Sequence, residues 1–340
     1  MKKINLTFRA LFLAAGAGLL LTLAACTSKR QEGNDLNLHL ATLEEAQRII
    51  STSDSFTKSL NAFDLQSRLQ EHGMTPSEEN YLELGRQSVR EWTAAEKAII
   101  ARATALIQHK IDSGAYHLPI PDEITLIKTT MEEEGGAGGY TRGNCIFLCP
   151  LEEVKPEQEK MVAIILAHEL IHVMSRTNDG FRQSMYAHIG FELLDEDIDF
   201  GPALTAMRIT NPDVNRYDSY SMFSIDGEEV PCAMIYYNDK EYTGGPFFMY
   251  GKPGLVRLDD EFRPMMPTDP EAAATGLPII CSTTDAEDFY DLIGMNTGYV
   301  INPEEVLADN FAYALLDLYP EGHPSPEVTE RLRAVMQGIW

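Results

Sequence analysis

Hydrophobic positions follow a helical spacing in the first third of the chain. Across residues 41–112 apolar side chains recur every three or four residues, and Thr93 with Glu96 forms a capping box that opens a helix. A run rich in β-branched residues at 124–130 then predicts a strand, and a second strand is predicted near 144–148. A glycine-rich loop at 135–139 lies between them. We therefore expect an N-terminal helical layer over residues 41–115.

The remaining pattern mixes helices and strands. Residues 161–174 are apolar almost all round, which is typical of a buried helix. Short alternating runs with turn residues predict a β-meander, inserted at about residues 218–266. Helical spacing returns from residue 285, where Asn302-Pro303 marks a helix start. The chain is thus predicted to have an α+β fold in which residues 116–340 form the main domain.

The buried helix carries the pentapeptide His168-Glu169-Leu170-Ile171-His172. A helix advances 100° per residue, so His168 and His172 lie one turn apart on one face and can reach the same ion. Glu169 projects beside them and can take a proton from water at the metal without being a ligand. A core helix whose histidines bond to backbone carbonyls is the alternative. We favour the metal, because buried histidines and a buried carboxylate need partners.

A zinc site with two histidines needs a third protein ligand, and the C-terminal helix offers one. Glu305-Val306-Leu307-Ala308-Asp309 begins just inside the helix start. Glu305 and Asp309 fall on one face of this helix. Glu305 would complete the ligand set, and Asp309 would accept a hydrogen bond from a ligand imidazole and fix its tautomer. Glu192 is the competing third ligand.

An HExxH helix followed downstream by Glu and, four residues later, Asp resembles the gluzincin class of zincin metallopeptidases. The ExxAD form looks especially like the CAAX-protease and heat-shock membrane protease group, although several transmembrane spans are missing here. Ser175 and Asn178 stand where metzincins have Gly and His. The resemblance implies a zincin-like core, bound Zn²⁺ and peptide hydrolysis with Glu169 as general base. Glu192 follows His172 at the thermolysin-like interval of 20 residues, but Glu196 rather than Asp comes after it.

The N-terminus has the pattern of an export signal. Lys2, Lys3 and Arg9 precede a short apolar stretch at 10–21. Leu23-Ala24-Ala25-Cys26 resembles the lipobox of bacterial lipoproteins, which implies cleavage after residue 25 and acylation of Cys26. We expect a signal peptide at 1–25, a tether at 26–40 and a protein exported and lipid-anchored in the cell envelope, in the outer membrane if two membranes are present. Ordinary secretory cleavage that leaves a free Cys26 is the alternative.

Charge and cysteine content limit the partners. The chain has 27 Lys and Arg against 52 Asp and Glu, a net charge of −25. This acidity argues against nucleic acid as a partner. An exported location permits disulfides, so the four later cysteines are predicted to be core residues or disulfide partners, with the pairing open: Cys145, Cys149, Cys232 and Cys281.

Three functions fit these features. The favoured one is an envelope metallopeptidase that cleaves a peptide or protein substrate, with its oxyanion donor among Tyr186, His188 and Tyr299. The others are a zinc hydrolase of a non-peptide amide or ester, and a catalytically inactive binding lipoprotein with a structural metal. If the protein is a zincin, the strand at 144–148 is expected to line the cleft and pair with an extended substrate, and the loop at 135–139 to gate it.

Overall fold

The structure is a computed structural model that describes residues 35–151, 159–214, 216–319 and 324–338. Its N-terminal part is helical, as the spacing predicts. The predicted capping box is confirmed, since Glu96 N donates to Thr93 Oγ1 at 3.2 Å and Thr93 N donates to Glu96 Oε2 at 2.9 Å. Glu96 also pairs with Lys128 at 2.9 Å, which ties this helix to the adjacent strand. The helices are α1 (Leu43–Ile50), α2 (Ser55–Ser59), α3 (Ala62–Leu69), α4 (Glu78–Ser88) and α5 (Ala94–Gly114).

The first sheet is mixed. Its strands are β1 (Leu38–Leu40), β2 (Val89–Arg90), β3 (Ile124–Thr129), β4 (Gly139–Arg142) and β5 (Cys145–Leu148). They follow the order β1-β3-β5-β4, with β2 paired to β3. β1, β3 and β5 run parallel, whereas β4 folds back antiparallel to β5 through a tight turn at Gly143, whose φ is +57°. β5 is therefore an interior strand and β4 is the edge.

Long helices pack against one another beside this sheet. They are α6 (Glu159–Thr177), α7 (Asp179–Ala187), α11 (Pro303–Leu316) and α12 (Pro326–Met336). α6 contacts both α5 and α11, which also contact each other. Both α6 and α11 are buried on most of their surface, which explains why their sequences are apolar almost all round.

The second sheet is antiparallel and larger than the predicted meander. It contains β6 (Glu192–Leu193), β7 (Ser219–Ile225), β8 (Glu228–Tyr237), β9 (Lys252–Arg257) and β10 (Ile280–Cys281), in the order β10-β9-β8-β7-β6. The predicted insertion at 218–266 contains β7 to β9. It leaves out β6 and β10, because two-residue strands carry no alternation that a sequence could reveal. Short helices complete the region: α8 (Gly201–Met207), α9 (Pro270–Ala273) and α10 (Phe289–Ile293).

Two features of the structure bear on the predicted organisation. Leu38 and Leu40, which end the predicted tether at 26–40, belong to β1 and pack against the main core. Residues 32–340 group into one compact unit, which contains both the helical region at 41–115 and the region at 116–340. The predicted signal peptide and Cys26 lie outside the described residues. Within the described ranges, no helix has the length and apolarity needed to cross a membrane.

The four cysteines that follow Cys26 are all free thiols in the structure. Cys232 is buried in the main core, and the other three are partly buried against hydrophobic clusters. Burial raises the pKa of Cys232 to about 12. These residues were predicted to be core residues or disulfide partners, and in the structure they are core residues.

Candidate metal centre

The HExxH and ExxAD sequences meet where α6 packs on α11. His168 Nε2 lies 3.1 Å from Glu305 Oε2, and His172 Nε2 lies 3.7 Å from the same oxygen. The ligating atoms of the three residues all lie within 4.8 Å of one another. Donors placed about 2.0–2.1 Å from a tetrahedral zinc ion are about 3.3 Å apart, so these separations suit that ion.

Both imidazoles are held by carboxylates on their other nitrogen. His168 Nδ1 lies 2.9 Å from Asp309 Oδ1, and His172 Nδ1 makes a longer contact of 3.5 Å with Glu304 Oε1. A carboxylate at Nδ1 favours the tautomer protonated there, which leaves the Nε2 lone pair for an ion. Asp309 therefore occupies the position that the spacing in the sequence predicts for it.

Glu304 is a member of the site that sequence reasoning missed. Besides His172 it accepts hydrogen bonds from the hydroxyls of Ser175 and Tyr186, the latter at 2.5 Å. Burial opposes its ionisation, but the bonds from His172 and Ser175 outweigh burial and lower the pKa of Glu304. The sequence did contain a signal for Glu304, because it is a second acidic residue next to Glu305 in an otherwise apolar helix.

Tyr186 does not occupy the predicted oxyanion position. Its hydroxyl is committed to Glu304 on the far side of His172, and the residue is buried. His188 does not line the cavity beside the histidines either. It lies at the end of α7, where its Nδ1 is 2.7 Å from Ser184 O. Tyr299 does face the site, with its ring centroid 6.4 Å from that of His168. It is the one of the three predicted candidates that lines the cleft.

Glu192 lies apart from the histidines. It sits exposed on β6, at the end of the second sheet, and accepts a hydrogen bond from Tyr220 at 2.6 Å. The chain reaches this sheet because α7 ends at Ala187 and turns at Gly190, whose φ is +79°.

Glu169 lies against the edge strand of the first sheet. A Cβ added to Gly139 would stand 2.6 Å from Glu169 Oε1, so a larger residue at 139 would push the Glu169 carboxylate out of this position. Glu169 Oε2 and His172 Nε2 are both buried without a hydrogen-bond partner among the described residues. Burial, and then the charge of Asp213, raise the pKa of Glu169 to about 8.

Asp213 is the second residue that the sequence analysis missed. Together with Glu169 and His172 it forms a further group whose ligating atoms lie within 4.8 Å of one another. Its Oδ1 accepts hydrogen bonds from Thr141 N and Thr141 Oγ1, both at 2.7 Å. Asn211-Pro212-Asp213 has the composition of a turn, so its sequence shows no sign of a site.

An open cavity of about 580 Å³ lies beside His168 and Glu169. Its walls are mainly apolar and aromatic, with Ile164, Ile165, Ile209, Phe247, Phe248 and Ile301 among them. The predicted gate residues 136–139 also line it, although Gly139 already belongs to β4. The prediction that the strand at 144–148 borders the cleft is wrong. That strand is interior, and β4 takes the edge because it pairs antiparallel with β5 through the turn at Gly143.

Carboxylates dominate the electrostatics of the centre. Burial alone would lower the pKa of His172, but Asp213 and Glu305 more than offset it and raise the pKa to about 9. So much buried negative charge is costly unless a cation balances it. The carboxylates around the two imidazoles are Glu169, Asp213, Glu304, Glu305 and Asp309.

Comparisons with known proteins add no relative to this picture. A scan against family models, a search of curated proteins and a search of solved structures each find no match to this chain.

Proposed function

We propose that this protein is a zinc-dependent metallopeptidase with a zincin-like core. In this proposal His168, His172 and Glu305 hold Zn²⁺, and Glu169 is the general base. The observation that carries it is the pair of buried atoms His172 Nε2 and Glu169 Oε2, which have no hydrogen-bond partner among the described residues; His172 Nε2 lies 3.7 Å from Glu305 Oε2. An unpaired buried polar atom is costly. A dication would satisfy His172 Nε2, and water bound to that dication would donate a hydrogen bond to Glu169 Oε2.

The chemistry follows from the donor set and its surroundings. Zinc, when bound, would polarise the scissile carbonyl and make water acidic enough to be a nucleophile at neutral pH. A nearby cation lowers the pKa of Glu169, so its carboxylate is ionised and accepts the proton of the attacking water. Glu169 then passes that proton to the leaving amine. Tyr299, which lines the cavity, would donate a hydrogen bond to the developing oxyanion.

The edge strand β4 supports an extended peptide as the substrate. Cys149 N donates to Gly138 O, so by antiparallel alternation the backbone groups of Gly139 and Thr141 point away from β5. An extended chain that pairs with Gly139 would pass directly beside Glu169. The apolar walls of the cavity would then receive apolar side chains of the substrate.

The cellular location is proposed from the N-terminus alone. Residues 1–26 would direct export, and an acylated Cys26 would anchor the protein to the lipid bilayer of the cell envelope. Radiolabelled palmitate incorporated by the wild type, and lost in Cys26→Ser, is the expected result in growing cells.

Zinc content and peptide hydrolysis test the proposed activity together. Glu169→Gln should keep stoichiometric zinc and lose about 10²-fold to 10⁴-fold in cleavage of an unfolded protein, because the proton acceptor is gone. Glu305→Gln should lose zinc. Glu192→Gln is the matched control, since it removes an exposed acid from the second sheet, and it should change neither property.

Two results would contradict the proposal. Cleavage at the wild-type rate by Glu169→Gln would exclude Glu169 as the base, and full zinc occupancy in Glu305→Gln would exclude Glu305 as a ligand. Activity on small amides or esters with none on peptides would support the alternative hydrolase.

A further inference from the structure

A short segment of the second half of the chain crosses the wall of the cleft and meets the edge strand. We call residues 210–214 the cleft strap. Its first residue is fixed to α3, because Thr210 N donates to Asp64 Oδ1 at 3.0 Å and Arg68 Nη2 donates to Thr210 O at 2.9 Å. The strap is therefore anchored to the helical layer before it reaches the candidate centre.

The far end of the strap blocks part of the edge strand. Asp213 N donates to Asn211 Oδ1 at 3.0 Å, and Asp213 Oδ1 accepts hydrogen bonds from Thr141 N and Thr141 Oγ1, both at 2.7 Å. Arg176 holds this arrangement from the end of α6, donating to Thr141 Oγ1 at 2.9 Å and to Pro212 O at 3.3 Å. The outward N–H of Thr141 is thus already taken, so a strand that pairs with β4 cannot continue past this point.

The other direction along the edge strand is open. Gly139 lies against Glu169, and residues 136–138 line the cavity before it. Thr141 is only two residues after Gly139, which is about 7 Å along an extended strand. A peptide that pairs with Gly139 can therefore run past residues 136–138, but it meets Asp213 within about two residues in the opposite direction. This cleft fits a scissile bond that lies close to one end of the substrate.

The blocked end of the cleft is acidic. Asp213 lines the cavity, and one of its carboxylate oxygens lies within 4.8 Å of one from Glu169. Among the described residues that line the cavity, Arg68 is the only Arg or Lys, and it is paired with Asp64 and Glu134. These residues offer no unpaired Arg or Lys to a terminal carboxylate. An α-ammonium group, in contrast, would meet the carboxylate of Asp213, and such a charged hydrogen bond is a strong one.

We infer that the protein is an aminopeptidase, and that Asp213 holds the α-ammonium group of its substrate. This inference rests on the proposed peptidase function. The backbone nitrogen and carbonyl carbon of one residue are about 2.5 Å apart, so the short gap between Asp213 and Glu169 accommodates one residue. Glu169 takes a proton from water while the water oxygen adds to that carbonyl carbon. The amide C–N bond then breaks and the proton leaves with the new amine, which gives a free amino acid and a shortened peptide.

Two peptides that differ only at the amino end test this inference. The zinc-loaded full chain should release amino acids one at a time from the amino end of the free peptide, which mass spectrometry detects. Acetylation of that amino end should lower kcat/KM by about 30-fold or more, because the buried Asp213 carboxylate then lacks its charged partner.

Asp213→Asn should remove this preference. The variant keeps an oxygen for both donors of Thr141, so the fold should persist, and its zinc content should equal that of the wild type. Its kcat/KM for the free peptide should fall by a similar factor of about 30 or more, whereas that for the acetylated peptide should not change. Asp260→Asn, which removes an exposed acid after β9, is the control and should keep the preference.

Each outcome decides between the two proposals. Equal cleavage of both peptides at internal bonds, or removal of residues from the carboxyl end, overturns the inference and leaves the peptidase proposal intact. A zinc-loaded wild type that cleaves neither peptide and no unfolded protein overturns both. A preference for the free amino end that persists in Asp213→Asn overturns the role of Asp213. If that variant does not fold, Thr141→Val removes one of the two hydrogen bonds to Asp213 and should weaken the preference, and an unchanged preference contradicts the inference.

Discussion

Two buried acidic clusters line the same cavity, and they are neutralised in different ways. The arginine cluster consists of Arg68, Asp64, Glu134 and Tyr81. Arg68 lies 3.2 Å from Asp64 and 2.8 Å from Glu134, and Tyr81 donates to Glu134 at 2.6 Å. The histidine cluster consists of His168, His172, Glu169, Glu305 and Asp213. It contains buried atoms with no hydrogen-bond partner among the described residues.

This difference separates a structural cluster from a candidate site. In the arginine cluster both carboxylates are paired with Arg68, and Tyr81 completes the hydrogen bonding of Glu134. In the histidine cluster Glu169 Oε2 and His172 Nε2 are buried without hydrogen-bond partners among the described residues, and the two side chains lie close together. These unpaired atoms are the reason for proposing a metal at the histidine cluster and not at the arginine cluster.

Breaking the arginine cluster should have the largest effect on stability. Arg68→Met leaves two carboxylates buried without their cation, and it should lower the free energy of unfolding by about 3–5 kcal/mol. Chemical denaturation measures this, and the loss should be the same with and without zinc. Arg86→Met is the control, because Arg86 pairs with Glu83 on the surface of α4 and should contribute little. An Arg68→Met protein as stable as the wild type would show that the two clusters do not differ as described.

Zinc should stabilise the protein through the histidine cluster alone. At a free concentration 100 times the Kd, a ligand that binds only the folded state adds about 2.7 kcal/mol. The wild type and Arg68→Met should both show this gain in Tm between chelator and zinc. Glu305→Gln should not show it. Without metal this variant should already be less stable than the wild type, because the histidines and Asn211 outweigh burial, lower the pKa of Glu305 and lose their charged partner. A zinc-dependent gain that survives in Glu305→Gln would place the ion elsewhere.

Local spacing was enough to predict the core of the site. His168 and His172 share a face by helical geometry, as do Glu305 and Asp309, and the structure brings both pairs together. Glu304, Asp213 and the edge strand could not be predicted in the same way. Their roles depend on which helix and which loop pack against α6, and the sequence carries no periodic signal for contacts between residues so far apart in the chain.

The errors have the same origin. Tyr186 had the right chemistry for an oxyanion donor, but the packing of α7 behind α6 turns its hydroxyl to Glu304. The strand at 144–148 was correctly predicted as a strand. Its interior position depends on its antiparallel pairing with β4, and the sequence before it did not indicate that a strand would form there. Element type follows from local sequence, whereas layer and edge position follow from tertiary packing.

Glu133 sharpens the comparison because it is a buried acid that belongs to neither cluster. Its Oε1 accepts a hydrogen bond from Tyr140 at 3.1 Å, while its Oε2 has no partner among the described residues. Burial raises its pKa from 4.5 to about 7. The stability that this group contributes is therefore fully present below pH 4.5 and is lost as the pH rises through 7, because the folded protein must then bury the charge.

Glu133→Gln should remove that loss. The variant should gain on the order of 1 kcal/mol over the wild type at pH 8.5, with a smaller gain at pH 5.5, in denaturation measured with and without zinc. Glu132→Gln, at the exposed neighbouring position, should show no such dependence on pH. A gain that appears only in zinc-free protein would join Glu133 to the histidine cluster. A gain independent of zinc would show that the unpaired oxygen of Glu133 lowers the free energy of unfolding by itself, without any link to the proposed metal. The histidine cluster would then differ from Glu133 in having several unpaired atoms beside two imidazoles.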